Sequence, residues 1–270
     1  MRGKSASYPY LAWMSIFIVV PLLMIVFFAF TSPDWTFTLD NVFMVGQYSS
    51  VFLHSIYLGA VATLICLLIG YPLALIIARA AERRQRTMLL LVMLPMWMNF
   101  LLRTYAWMTL LENNGIVNSL LEKIGLGPFE MINTPGAVVL GMVYNYVPYM
   151  IMPLYSVMAK LDVRVIEASQ DLGANRFQVF TRVILPLSLP GIIAGITMVF
   201  VPAVSTFIIS KMLGGSGNLL IGDLIDMQFI GAAYNPHLGA AISLVLMVLI
   251  LICMGIMNEF DDGETEAIMI

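Results

Sequence analysis

The sequence predicts an all-α integral membrane protein with six transmembrane helices, and three observations predict it. The first is composition. Of 270 residues, 60% are hydrophobic and 11% are charged, and mean hydropathy is +0.93, whereas a soluble domain carries about 25% charged residues. The second is that the apolar residues come in runs matching the roughly 20 residues a helix needs to cross a bilayer. The third is the placement of basic residues. Arg2, Lys4, Arg79, Arg83, Arg84, Arg86, Lys160, Arg164, Arg176 and Arg182 all fall on one side of a six-span arrangement. Lys123 and Lys211 fall in the opposite loops, and Arg103 lies inside the third span. Lys and Arg concentrate in cytoplasmic loops, so both termini are expected inside.

The spans follow in order. Arg2 and Lys4 precede an apolar run from about Tyr8 to Phe30. It is too long for a signal-peptide core and lacks a small-x-small cleavage site, so it reads as an uncleaved first span. A polar loop with Pro33, Asp34, Trp35 and Asp40 leads to the second span, about Val51 to Ala78, where Gly70-Tyr71-Pro72 predicts a kink. After the basic loop, the third span runs from about Thr87 to Leu111 and is interrupted by Pro95. A loop with Gly127-Pro128 as its turn precedes the fourth span, about Pro135 to Met158. The fifth runs from about Thr181 to Ile209 and carries Pro186, Pro190 and Pro202. The sixth runs from about His237 to Met257, before an acidic tail over 259–270. The whole chain, 1–270, reads as one transmembrane domain. Cys66 and Cys253 lie inside apolar runs and read as packing residues.

The chain carries no engine of its own. Gly3-Lys4-Ser5 has the end of a P-loop without its first glycine, and the glycine-rich backbone is what cradles phosphate. There is no His-Glu-x-x-His, no nucleophile elbow, no paired intramembrane carboxylate and no His/Cys cluster with metal-ligand spacing. No catalytic residue, metal or bound cofactor is therefore expected. An ion-coupled carrier places ionisable groups in its spans, and Arg103 is the only clear charge within one. It either snorkels to the interface or faces a polar cavity. The physics favours energy supplied by a partner, and no nucleic-acid partner is expected.

The loop at about 159–182 is where such coupling would act. Asp162 can cap a helix holding Ile166, Glu167, Ala168 and Leu172, Gly173 can end it in the left-handed conformation, and Asn175 can cap a second helix. Glu167-Ala168-Ser169, then Gly173, then Val183-Ile184-Leu185-Pro186 follow the spacing E-A-A, three residues, G, nine residues, I-x-L-P. This stretch resembles the EAA loop of ABC-importer permeases, with serine for the third alanine and valine for the closing isoleucine. Together with GGSGNLLIGDLIDMQF and LPMWMNFLLRTYAW, the chain is similar to the membrane subunits of spermidine/putrescine ABC importers over nearly its full length.

That resemblance implies a type I ABC importer permease fold in the bacterial inner membrane. It implies a second homologous permease, two copies of a cytoplasmic ATPase that use ATP and magnesium, and an extracytoplasmic polyamine-binding protein. Glu167, Ala168, Ser169, Gly173 and Pro186 are then the ATPase-coupling candidates. Candidates to line the substrate path are Trp97, Asn99, Arg103, Tyr105, Tyr144, Asn145, Tyr146, Tyr149, Ser205 and Thr206. Their aromatic faces attract ammonium groups, although the same residues also suit an interfacial belt, helix packing or, for Ser205 and Thr206, satisfaction of backbone freed by Pro202. Asp34, Asp40, Glu112, Glu122, Glu130, Asp223 and Asp226 make the opposite loops acidic, a face that attracts a flexible cation. Alternatives are an importer permease for iron, thiamine, sulfate or another small solute, an ion-coupled carrier, and a membrane-embedded enzyme.

Overall fold

The computed structural model describes residues 8–231 and 233–268. Arg2 and Lys4, and the side chains of the acidic tail from Glu259, lie outside them. The described residues are helical throughout apart from turns and a single bridge between Thr31 and Phe37. In chain order the helices are α1 (8–29, through a π turn at Ser15–Val19), α2 (Asp40–Val45), α3 (Ser49–Ala78), α4 (Glu82–Trp97), α5 (Phe100–Leu111), α6 (Ile116–Lys123), α7 (Pro135–Met158), α8 (Val163–Asp171), α9 (Arg176–Leu187), α10 (Leu189–Ser205), α11 (Ile221–Phe229) and α12 (Pro236–Ile268). Four helical stretches are long and apolar enough to cross a membrane alone. Two bent pairs, α4 with α5–α6 and α9 with α10, bring the total to six.

The core is a triangle of α3, α7 and α10. On α3 the buried residues Phe52, Ser55, Leu58, Gly59, Ala62, Thr63, Cys66, Gly70, Tyr71, Ala74 and Ile77 recur at three- and four-residue steps. They form one stripe down the helix. Leu53, Tyr57, Leu64 and Leu68 on the other face are exposed, as lipid-facing side chains must be. The stripe is rich in small residues, which let helix backbones approach where lipid supplies no hydrophobic drive. A second cluster joins Ala29 of α1, Phe52 of α3, Val204 of α10, Ile221 and Leu224 of α11, and Leu238 and Ile242 of α12. Cys66 is buried, its Sγ 3.9 Å from the Val143 carbonyl, and both cysteines are free.

α3 stays helical through Gly70-Tyr71-Pro72. Two expectations about span continuity are corrected. The third span is broken at Met98-Asn99 rather than at Pro95, and turns by 87°. Pro95 sits inside α4, whereas Met98 is extended and the Asn99 Oδ1 accepts from the amides of Leu101 and Leu102 at 2.8 and 3.4 Å, starting α5 afresh. The fifth span begins at Arg176, bends by 63° at Ser188 and ends at Ser205. Pro190 has no N–H to give the Pro186 carbonyl, so one helical hydrogen bond is missing where the chain turns.

α11 is seated by glycine. A Cβ at Gly222 would lie 2.6 Å from the Thr206 carbonyl oxygen and 2.7 Å from that of Ser205. Both are backbone atoms that cannot swing aside. Gly222→Ala should therefore lower stability by about 1–3 kcal/mol, seen as an earlier thermal unfolding transition of the detergent-purified protein. An unchanged transition would mean that α11 is not held this closely.

Candidate functional site

The hairpin of α8 and α9 is fixed by its own polar atoms. The Asp162 carboxylate accepts from the Arg164 amide at 2.9 Å and caps α8. At the other end the Ala174 amide donates to the Ser169 carbonyl at 3.1 Å, and the Gly173 amide to that of Gln170 at 2.9 Å. With Gly173 at φ +85° these two bonds form a Schellman motif, which closes a helix through a left-handed residue. Asn175 then opens α9 with a reciprocal box: its Oδ1 accepts from the Gln178 amide, and the Gln178 Oε1 from the Asn175 amide, each at 2.9 Å. The stop at Gly173 and the cap at Asn175 are two residues apart, so the angle between α8 and α9 is set locally.

The hairpin presents an apolar surface to solvent. Leu172 is 89% exposed, Phe177 73% and Val163 61%. Glu167 and Ala168 are exposed and Ser169 is half-buried, its hydroxyl donating to the Ile166 carbonyl at 2.7 Å. Glu167 borders a cavity of about 480 Å³ between the hairpin and the ends of α3 and α7, with Arg79, Met158 and Gln170. Arg79 and Gln170 also border an adjoining cavity of about 410 Å³ with Arg176. Among the described residues Glu167 has no ion pair.

The link from hairpin to spans runs through two residues that the motif did not single out. Ser188, fully buried at the 63° bend, donates its hydroxyl proton to the Leu185 carbonyl at 2.9 Å. Tyr71 of α3 therefore donates to the Ser188 Oγ, also at 2.9 Å. The Tyr71 ring meets Phe180 of α9 edge-on at 5.7 Å. Pro186 lies between these contacts, two residues before the bend. A tyrosine within an apolar span was the available sequence signal, but its partner lies 117 positions away.

The path candidates divide. Tyr146 is buried and its hydroxyl reaches the Pro202 carbonyl at 3.4 Å. Tyr149 lies 6.4 Å from it, ring to ring, and is 40% exposed. Arg103 and the buried Thr206 stand near the same hydroxyl. Tyr144 packs edge-on to Trp107 at 5.4 Å. Asn145 donates to the Gly141 carbonyl at 2.8 Å, and its Oδ1 is buried without a partner among the described residues. Arg103 does not snorkel: it is buried, its guanidinium 5.9 Å from the Phe100 ring centre, with Nε and Nη1 unpartnered among the described residues. Trp97 and Tyr105 are exposed and form no aromatic pair with Tyr144, Tyr146 or Tyr149 among those residues. Asn99 is a helix cap. The Ser205 hydroxyl donates to the Val201 carbonyl at 3.0 Å, so it serves the backbone.

The family model for binding-protein-dependent transport system inner membrane components matches residues 1–262. The chain belongs to that family. It is a multi-pass inner-membrane transport component and not an enzyme. It is 40% identical over 246 residues to the spermidine/putrescine transport system permease protein PotB of Escherichia coli (strain K12), covering 87% of this chain and 89% of that one. It is 40% identical over 248 residues to the protein of the same name from Haemophilus influenzae, covering 88% and 86%. The fold matches a permease in the crystal structure of a bacterial ABC transporter that imports the acidic polysaccharide alginate, with a TM-score of 0.77 over 96% of this chain and 94% of that one at 19% identity.

The permease's Gly173 tests the local origin of the hairpin angle. A Cβ there meets nothing within 4 Å, so Gly173→Val is a pure backbone strain of about 1–2 kcal/mol. Deuterium uptake across 163–180 should rise while the rest of the bundle keeps its protection. Unchanged uptake in the hairpin would show that packing, not Gly173, sets the turn.

Proposed function

We propose that this chain is one membrane-spanning subunit of an ATP-driven importer of spermidine and putrescine. The observation that carries the reading is 40% identity, over nearly all of the chain, to permeases of that name. In this reading both termini are cytoplasmic. The chain forms the path with a second homologous permease, two copies of a cytoplasmic ATPase bind ATP and magnesium, and an extracytoplasmic protein delivers the polyamine.

The α8–α9 hairpin suits docking on the ATPase. Its exposed Val163, Leu172 and Phe177 offer apolar area, and Glu167 an accessible charge. Because the caps hold the hairpin rigid, a push on α8 passes through α9 to the Ser188–Tyr71 contact and into the span triangle, as a rigid-body rotation. Tyr146 and Tyr149 are the best-placed path residues, since an aromatic face attracts an ammonium by about 0.5–2 kcal/mol. Arg103 is itself a cation and gives a polycation no attraction.

Labelled spermidine and putrescine uptake into proteoliposomes, with and without a working ATPase, tests the reading. ATP-dependent uptake competed by unlabelled polyamine is the expected result. Assembly and ATP turnover without polyamine uptake would overturn the cargo, and no association with an ATPase would overturn the class. Glu167→Lys should leave the complex inserted and assembled while uptake falls about tenfold or more, as for reversing one partner of a close interfacial charge contact. Normal uptake by that variant removes Glu167 from the coupling surface.

A further inference from the structure

The opposite end of the bundle holds a carboxylate of which one oxygen caps α11 and the other has no role in a span or a cap. Gly222 presses α11 onto the carbonyls of Ser205 and Thr206, which carries Asp223 beneath the end of α10, where it is 3% exposed. Its Oδ2 accepts from the Leu220 amide at 2.9 Å. Its Oδ1 is shut from solvent and has no partner among the described residues. Ser210 stands beside it, but the single hydroxyl proton of Ser210 is directed to the Phe207 carbonyl at 2.9 Å. A buried polar atom left without a partner is costly and marks a place where a group from elsewhere would be welcome.

The surroundings indicate which group. Asp223, Asp226, Lys211 and Ser216 border a cavity of about 170 Å³. The Lys211 Nζ lies 2.9 Å from Asp226, and its side chain is 64% exposed. Asp226 thus holds the ammonium, which reaches in on an exposed arm, while Asp223 lines the same cavity without pairing to it. That arm is four methylenes ending in a primary ammonium, the same chemistry as the aminobutyl end of a linear polyamine. Burial holds the Asp223 carboxyl above the usual carboxylate range, only partly offset by Ser210, the Leu220 amide and Lys211. An arriving cation would favour its ionised form.

We propose that this cavity is a transient receiving site for the terminal ammonium of a polyamine, with Asp223 and Asp226 as its ligands and Lys211 as the resident group that the cargo displaces. The site rests on the polyamine reading above, in which this end of the bundle faces outward. A primary ammonium brings three donors to the free Oδ1, to Asp226 and to the cavity wall. A quaternary ammonium, a neutral sugar or an anion does not meet those acceptors.

The test is the number of polyamine molecules moved per ATP hydrolysed, in the fully assembled transporter with saturating loaded binding protein. Asp223→Asn keeps an acceptor for the Leu220 amide and loses only the charge. It should lower that ratio about tenfold, the scale of a charged hydrogen bond, without changing ATP turnover. Lys211→Met leaves both carboxylates free. It should keep the ratio at or above the parent value and raise spermidine retention by the purified complex without binding protein. A parental ratio in Asp223→Asn overturns the site. So does a defect confined to the binding-protein concentration needed for half-maximal ATP turnover, since the carboxylate would then contact that protein and not the cargo. Loss of transport in Lys211→Met overturns it too, as the mark of a structural strut, and this arm decides the matter if Asp223→Asn does not assemble. A parent complex whose ATP turnover responds but which moves no polyamine overturns the cargo reading, and the site with it.

Discussion

Everything else in the structure depends on how closely α3, α7 and α10 approach one another. Hydrocarbon is as apolar as leucine, so a bilayer gives these helices no hydrophobic reason to associate. What remains is contact, and contact requires small residues at the crossings. A Cβ at Gly59 would lie 2.7 Å from Val204, one at Gly141 2.6 Å from Leu213, and one at Gly195 2.6 Å from the Met150 Sδ. Gly59 closes α3 on α10, Gly195 closes α10 on α7, and Gly141 seats on α7 the segment that follows α10. The hairpin at one end and α11 at the other are both attached to these helices.

Two breaks interrupt otherwise continuous spans. At each, an intrahelical hydrogen bond is lost and a short polar side chain bonds the backbone beside the break. At 98–99 it is the Asn99 amide, and at the fifth span the Ser188 hydroxyl with Tyr71 behind it. In the coupling proposed above, the second break is the more consequential. It places a buried hydrogen bond between α3 and the bend from which α9 leaves toward the hairpin. Motion at α8 thus has a route into the core that involves no flexible linker.

Two kinds of polar group inside the protein contrast. Thr63, Thr104, Thr197 and Ser243 donate to carbonyls one turn back on their own helices and satisfy themselves. His54, Arg103, Asn145 and Asp223 keep atoms that no described residue satisfies. The first kind can sit anywhere on a span. The second is found toward the end of the bundle where α5, α7, α10 and α11 come together, which is also where a path between two permeases would open.

The local chemistry was legible in the sequence by itself. Asp162, Gly173 and Asn175 were readable as cap, stop and cap because each acts on backbone within three residues of itself, and the span count followed from run length and from the placement of Lys and Arg. The tertiary structure alone decided the rest. Pro95 promised a break that occurred at Met98-Asn99. Arg103 had to be placed before its burial could be known. Ser188 needed Tyr71, and Asp223, one acid among seven in the outward loops by sequence, became the buried one only because Gly222 brought α11 against the end of α10. Caps and turns are short-range and are written where they act. Burial, and the partner a polar atom does or does not find, depend on residues far apart in the chain, and only packing brings those together.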